Sequence, residues 1–450
     1  MYKKLIERDW AGLQIQIDVA SSKRRHLMRL ELIQPAREAN TQKLKKSLAP
    51  PLNLGVLAAL TPSDVEICII DENTTILDLD KDVDLVGITT LTVTANRAYE
   101  IADSFRKRGI TAVLGGIHAS LLPDEASQHA DSVVIGEAEE IWPTVIADFK
   151  AGTLKPTYKA QGRPSLKNLP MVRRDLFDRS RYWGKNTILT TRGCPFDCSF
   201  CSVTAFFGKS YRSRPVDEVI AEIKTLPQNE LIFFMDDNIA GNPKFAKELF
   251  RALIPLKIRW LSQCSVTIAH DDELLDLAAQ SGCIDLFLGI ESISAASLES
   301  VGKRINKVEE YGEVIRKIHA HGIAIHGFFI FGFEEDDEGI FERTLDFAIK
   351  NKIESAQFDL LTPYPGTRFY DKMVAEGRLL SEDWSKYGYE LLYEPKLMSA
   401  QTLQQKQQQV WRRFYSLPSI FKRIGLWRKH IVKLWILNLY YRRHWKRKPK

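Results

Sequence analysis

Residues 190–201 read "TTRGCPFDCSFC", and three of the chain's six cysteines, Cys194, Cys198 and Cys201, fall within eight positions there. Thiolates ligate soft metal centres, and four of them would close a tetrahedral zinc site. Three thiols spaced C-x3-C-x2-C on a loop after a strand suit instead a [4Fe–4S] cluster with one iron left open, because four thiolates normally fill such a cluster. Two blander readings stand beside it: inert buried thiols, and a zinc site completed by His or Cys from elsewhere. Neither accounts for the aromatic Phe200 directly before the last cysteine.

A loop of this kind needs a scaffold. At 450 residues the chain exceeds the roughly 250–300 at which one core stops growing, so two or three domains are expected. Residues 26–150 alternate short aliphatic runs such as "VDLVGITTL" and "TAVLGGIH" with helical patterns such as "ANRAYEIADSFRKRG", the pattern of βαβ units and a parallel sheet. Residues 151–184 lose the pattern and read as a linker. A second alternating series over 185–395 offers six strands, "NTILTT", "LIFFMDD", "RWLSQCSV", "DLFLGIES", "IHGFFIFGF" and "SAQFDLLTP", too many for a small doubly wound domain and suited to a partial (β/α)6 barrel. Residues 396–450 read as helix rich in Gln, Arg and aromatics. The expected fold is α/β: a Rossmann-like domain, a partial barrel and a helical C-terminal region.

Composition excludes several classes. The start, "MYKKLIERDW", lacks a secretory apolar run, no window offers the about 18 apolar residues of a spanning helix, and the clustered cysteines are no disulfide framework. These point to the cytoplasm. The net charge of +6 is uneven. After Glu394 there are 15 Lys and Arg and no acid, which leaves 48 basic against 57 acidic side chains elsewhere, a net −9. The tail "SIFKRIGLWRKHIVKLWILNLYYRRHWKRKPK" reads as a helix lying in a membrane interface, at the inner face of the membrane. A nucleic-acid-binding face and an ordinary packing helix are its rivals, and no nucleic acid is expected.

C-x3-C-x-Φ-C after the first strand of an αβ-barrel resembles the signature of radical S-adenosylmethionine (SAM) enzymes. That resemblance implies that Cys194, Cys198 and Cys201 hold a [4Fe–4S] cluster, that SAM occupies its open iron beside Phe200, and that an external one-electron reductant of the flavodoxin or ferredoxin type supplies the electron. By the same resemblance Asp236, Asp237 or Asn238 of "MDDN" accepts from the SAM amino group. Glu291 and Ser292 of "GIES" meet the ribose, and Gly327 and Gly332 of "HGFFIFGFEED" admit the adenine. "YRSRP" and "TPYPGT" also recur in the cobalamin-linked branch, with Arg212 ordering the loop or meeting a carboxylate. Cys264, Cys283 and Tyr364 are candidates for positioning or quenching a substrate radical.

The N-terminal sheet lacks G-x-G-x-x-G, so a dinucleotide is not expected. Its strand-end loops resemble the cobalamin-binding domain that precedes many radical SAM cores. The resemblance assigns Thr89, Thr90 and Thr92 to the nucleotide tail, Gly115, Gly116 and His118 to the benzimidazole, and Gly136 and Glu137 to the corrin edge. The loop after the first strand, "QPAREANTQKL", has no histidine, so the cobalamin is expected base-off without a protein imidazole on cobalt. The whole order resembles the cobalamin-dependent radical SAM branch that includes hopanoid-biosynthesis members. It implies methylation of an unactivated carbon of a lipid, isoprenoid or other secondary metabolite, because an sp³ C–H bond offers no nucleophile for polar transfer. Radical cyclisation or rearrangement of a tetrapyrrole type is the alternative, and a non-catalytic, membrane-docked cluster protein the third reading.

Overall fold

The structure, a computed structural model, describes residues 27–39, 46–227, 229–425 and 431–445. The N-terminal stretch without a secretory run, half of the loop after the first strand and parts of the basic tail lie outside the described residues.

The first sheet is parallel throughout. Its strands are β1 (Met28–Gln34), β2 (Val65–Asp71), β3 (Leu85–Thr89), β4 (Thr111–Gly115), β5 (Ser132–Ile135) and β6 (Thr157–Lys159), in the order β2-β1-β3-β4-β5-β6. Every residue of β3 is buried, as a central parallel strand covered by helices on both faces requires. One face packs on the helix Ala95–Lys107 through Ala98, Ile101, Ala102 and Phe105. The other packs on the helix Trp142–Ala151 through Trp142, Val145 and Ile146. The strand order reverses between β1 and β3, which opens the ligand crevice of such sheets at the carboxyl ends.

β6 was not expected, and it lies inside the stretch read as a linker. That stretch is a strap, not a tether: Tyr158 and Tyr182 are buried, and Arg174 forms a 2.6 Å ion pair with the buried Glu222 of the second domain.

The second sheet opens with β7 (Asn186–Ile188). An antiparallel hairpin of β8 (Thr191–Cys194) and β9 (Ser210–Ser213) follows, then β10 (Leu231–Phe234), β11 (Arg259–Ser265), β12 (Cys283–Glu291), β13 (Ala324–Phe331) and β14 (Ser355–Leu360). The order β14-β13-β12-β11-β10-β7 leaves β7 and β14 as edges, so the barrel is partial, as expected. All six anticipated strands are present.

The open edge beside β14 is covered by the C-terminal helices. An uncovered edge exposes backbone groups, and here side chains meet them. Tyr415 Oη donates to the Ala356 carbonyl (2.7 Å), and Trp411 Nε1 donates to that of Phe358 (2.7 Å). Arg423, 1% exposed, donates to the carbonyls of Ile353, Glu354 and Phe414 and to Asn438 Oδ1 at 2.6–3.0 Å. It thereby fastens the helices Leu417–Ile424 and Ile431–Trp445 to the barrel. The described part of the basic tail packs on the barrel by one face, with Leu434 and Asn438 pointing inward. Among the described residues no helix is long and apolar enough to cross a membrane.

After β14 the chain returns to the first domain. Trp384, Tyr387 and Leu392 join its core, and Trp384 Nε1 donates to Glu125 Oε1 (2.8 Å).

Candidate active site between the two domains

The hairpin β8–β9 delivers the cysteine loop. Gly193 has φ +84°, and a Cβ there would lie 2.4 Å from the Ser210 carbonyl oxygen, so the turn into Cys194 demands glycine. Asp236 anchors the strand just before it. Its Oδ1 accepts from Thr190 N (2.9 Å), Thr190 Oγ1 (3.0 Å), Thr191 Oγ1 (2.6 Å) and Thr191 N. Beyond Cys198 the loop is pinned from two sides: Ser199 N donates to the Val301 carbonyl, Phe369 N donates to that of Ser199 (both 3.0 Å), and Arg368 pairs with Asp197 (2.8 Å).

Around the thiols stand four polar groups from strand ends. Asp237 Oδ2 accepts from Gly193 N (3.1 Å). Asn238 Nδ2 lies 3.9 Å from Cys194 Sγ, and its Oδ1 accepts from Ser265 N (3.1 Å). Glu291 adopts φ +64°, uncommon for a residue with a Cβ, where the register between β12 and β13 shifts. Its carboxylate pairs with Lys303 Nζ at 2.8 Å. Burial alone would lower the Lys303 ammonium, but Glu291 and the sulfurs of Cys198 and Cys201 outweigh it and hold it above the usual lysine range. Burial pushes the Cys198 thiol up to about 11 against the pull of Lys303. A thiol so hard to ionise becomes a thiolate when a metal takes the proton's place.

These groups border one cavity of about 2400 Å³. Cys194, Cys201, Phe200, Asp237, Asn238 and Glu291 line it on the cluster side. Glu38, Lys46, Trp183, Tyr364 and Tyr389 form its border at the junction with the first domain. Gln357 of β14 and Gln404, Gln407, Trp411, Tyr415 and Tyr441 of the C-terminal helices make the far wall.

Among the described residues no three ligating side chains converge as a single-ion site requires. The three thiols ring a loop with Lys303 as counter-charge and a cavity in front, a donor set that fits an iron–sulfur cube with one corner open. The other expected SAM contacts, Asp236, Ser292, Gly327 and Gly332, are buried. Asp236 is fully buried, its Oδ1 taken by the threonines and its Oδ2 left without a hydrogen-bond partner. Ser292 is buried, its hydroxyl accepting from Ser294 N. At Gly327 a Cβ would meet Phe329 and Ile353, and at Gly332 (φ +102°) it would meet Tyr393 and Leu403.

In the first domain, Thr90 is fully buried, with its hydroxyl bonded to the Gly115 carbonyl and Ala119 N. Thr92 faces His118 (3.2 Å), which is itself fully buried against Trp384. Thr89 accepts from Asn53 (3.0 Å). A Cβ on Gly116 would strike the Thr90 backbone at 2.8 Å, and one on Gly115 or Gly136 would meet Val134 or Ala160. Thr90, Thr92 and His118 are thus engaged by protein, while Gly115, Gly116 and Gly136 keep partly exposed backbone. Glu137 is turned to the other domain: it takes Arg212 Nη1 (2.9 Å) and Arg192 Nη1 (3.1 Å), while Arg192 also pairs with Glu139. Arg212 thus meets a carboxylate, that of Glu137. Arg214 pairs with Glu222 (2.5 Å). Of the three radical-positioning candidates, Cys264 and Tyr364 line the cavity and Cys283 does not. Lys303 and the Arg192–Glu139 pair carried no signal of their own in the sequence.

Sheet, barrel and open-cornered thiol loop define an enzyme with a cofactor in each half. Residues 188–348 match the Radical SAM superfamily and residues 46–146 the B12 binding domain. The bacteriochlorophyllide d C-12(1)-methyltransferase of Chlorobaculum tepidum is 35% identical over 422 residues, 90% of this chain and 91% of that protein. The hopanoid C-2 methylase of Rhodopseudomonas palustris is 24% identical, over 74% of this chain and 66% of the methylase. The cobalamin-dependent SAM radical enzyme OxsB, solved with aqua-cobalamin and SAM, superposes with a TM-score of 0.67 at 16% identity, over 93% of this chain and 72% of its own. The chain belongs to the cobalamin-dependent radical SAM methyltransferases. Its cofactors are a [4Fe–4S] cluster, SAM and cobalamin, and it needs a reductant and a small-molecule substrate.

Proposed function

We propose that the protein methylates an sp³ carbon on a flat, amphiphilic macrocycle of the tetrapyrrole class. When bound, the cluster with SAM supplies a hydrogen-abstracting radical and cobalamin carries the methyl group. The chain's own residues position them: Cys194, Cys198 and Cys201 hold the cluster, while Asp237, Asn238 and Glu291 present oxygens to SAM beside Phe200.

The observation that carries the substrate class is the lining of the cavity. It offers the rings of Phe287, Phe328, Trp411, Tyr415 and Tyr441 together with the amides of Gln357, Gln404 and Gln407. Rings stack on a planar π system and amides meet its polar rim, and Ile330, Leu360 and Leu361 add an aliphatic stretch. The 35% identical relative acts on a bacteriochlorophyllide, which supports the same class. Anaerobic reconstitution with iron, sulfide and hydroxocobalamin, then incubation with a chlorin, methyl-labelled SAM and dithionite as the one-electron reductant, tests this. The expected products are 5′-deoxyadenosine and a chlorin heavier by one labelled methyl. Deoxyadenosine without a methylated chlorin refutes the substrate class, and absence of both refutes the chemistry.

We also propose that the protein works at a membrane surface. On the helix Ile431–Trp445 the face opposite Asn438 shows Val432 and Ile436, 68% and 63% exposed, with Leu439 and Tyr440 beside them and Leu417 and Phe421 on the neighbouring helix. An exposed apolar stripe among Lys and Arg fits an anionic bilayer. Flotation with phosphatidylglycerol vesicles should fall when Ile436→Glu is introduced; equal flotation refutes the contact.

A further inference from the structure

We propose that the groove between the helices Ile340–Lys350, Ala400–Phe414 and Leu417–Ile424 seats the headgroup of an anionic phospholipid, with Lys350 and Lys422 on its phosphate. This rests on the membrane reading above and deepens it, by adding a discrete lipid site to a charged apolar surface. The groove has a volume of about 850 Å³, and no residue of the cysteine loop or of the first domain lines it.

Its lining has an apolar and a basic part. Leu345, Phe347, Ile349 and Pro418 supply apolar surface, with Leu345 buried and Phe347 and Ile349 half-buried. Lys350 and Lys422 stand on two different helices and are both exposed. The acids of this region are turned to another cation. Glu342 pairs with Arg413, and Asp346, the one acid on the described lining, acts on Arg413 as well. Arg412, also on the rim, has an interaction of its own. Neither lysine takes part in the Arg413 pair, so an entering anion meets two ammonium groups that no groove carboxylate holds.

The neighbouring surface says which anion. On the helix Leu417–Ile424, the residues Ser419, Ile420, Arg423 and Ile424 are buried, while Leu417 and Phe421 are exposed and continue the apolar stripe of Val432 and Ile436. Pro418 and Lys422 follow Leu417 and Phe421 by one residue each, about 100° around the helix. When Leu417 and Phe421 sit at the boundary of headgroups and acyl chains, the groove beside them opens at the level of the phosphates. A lysine binds a phosphate as a point charge and lays its methylene stem on apolar surface. The apolar part of the groove then accepts the glycerol and the first methylenes of the chains, which a free phosphate or a nucleic-acid backbone lacks. No acid follows Glu394 in the chain, so nothing on the C-terminal segment repels the headgroup.

Dihexanoylphosphatidylglycerol, dissolved below the concentration at which it forms micelles, is the probe, titrated calorimetrically into the reconstituted holoenzyme. One molecule per chain should bind saturably, and the zwitterionic dihexanoylphosphatidylcholine should bind at least about tenfold more weakly. Lys350→Gln and Lys422→Gln should each weaken the anionic lipid about fivefold, the change that about 1 kcal/mol per basic side chain at an anionic surface gives. Ile436→Glu, on the stripe and off the groove, should lower vesicle flotation and leave the soluble lipid bound as in the wild type. Circular dichroism and iron content confirm that each variant is folded and loaded. If the wild type floats but the soluble lipid does not saturate, or if the glutamine variants bind it as the wild type does, the groove is overturned and the membrane reading stands. Equal affinity for the two lipids overturns the groove too, because the lysines then contribute nothing. A single-stranded oligonucleotide that binds in place of the lipid, and is lost in the same variants, overturns the occupant. If the wild type neither floats nor binds the soluble lipid, the membrane reading falls and takes the groove with it.

Discussion

Replacing Glu137 by glutamine should loosen the cobalamin domain from the cysteine hairpin. The carboxylate is 7% exposed and meets Arg212 (18% exposed) and Arg192 (11%), both on the hairpin that ends in Cys194. At an effective dielectric of about 20, a unit pair about 3 Å apart is worth roughly 5–6 kcal/mol before desolvation. Desolvating the ions returns part of that, so a double-mutant cycle of Glu137→Gln with Arg212→Met should give a coupling of about 2–4 kcal/mol. Urea denaturation of the apoprotein measures it, and the single Glu137→Gln variant should cost about 3 kcal/mol because two buried cations are left with Glu139 alone. If Glu137 instead served only the corrin edge, the apoprotein cycle would close to within about 0.5 kcal/mol, as for independent sites. That result refutes the clamp.

Cys198→Ala should abolish stable loading of the cluster, with iron per chain and the visible absorbance of the reconstituted protein as the measurements; full iron content in the variant contradicts the ligand assignment. Arg423→Met should destabilise the protein by about 3–5 kcal/mol, since three buried carbonyls and Asn438 lose a donor, and limited proteolysis should release the C-terminal helices first. Asp285, its Oδ1 buried, is raised by burial to about 7. A raised carboxyl contributes its stability fully below its unfolded value near 4 and loses it as pH climbs through 7. Asp285→Asn should therefore gain about 3 kcal/mol on the wild type between pH 5 and pH 8; thermal melts that run parallel across that range contradict this.

What the sequence disclosed was chemistry confined to neighbours in the chain. The cysteine loop was legible because its three thiols lie within eight residues. The six barrel strands were legible because an aliphatic run closed by a polar turn declares itself locally. β6 and the hairpin β8–β9 were missed because "TYK", "TRGC" and "SYRS" are too short and too polar to show a period. They become strands only where a neighbour offers a ladder, and β-propensity is weak against such context. The bonding of the nominated threonines was hidden for a related reason. A hydroxyl near a strand end satisfies the nearest backbone groups, and Thr90 does so with Gly115 and Ala119.

Lys303 and Glu137 show the deeper limit. "VGKRINK" reads as a solvated turn, and nothing local shows that Lys303 will be carried to Glu291 and the thiols. Glu137 lies two residues past β5 in a domain whose fold was legible, yet its partners Arg192 and Arg212 lie 55 and 75 residues away. The tail makes the same point from packing. The helix Ile431–Trp445 is apolar on two faces, and its composition alone cannot say which is core. The placement of Asn438 decides it: a buried amide must be bonded, and Arg423 Nη2 and the Glu354 carbonyl bond it at 3.0 Å each. That fixes the inner face and turns Tyr441 and Arg442 to the cavity wall. Val432 and Ile436 are left outside, so the cavity wall and the apolar outer stripe follow from one helix orientation, and a substitution that rotated it would disturb both together.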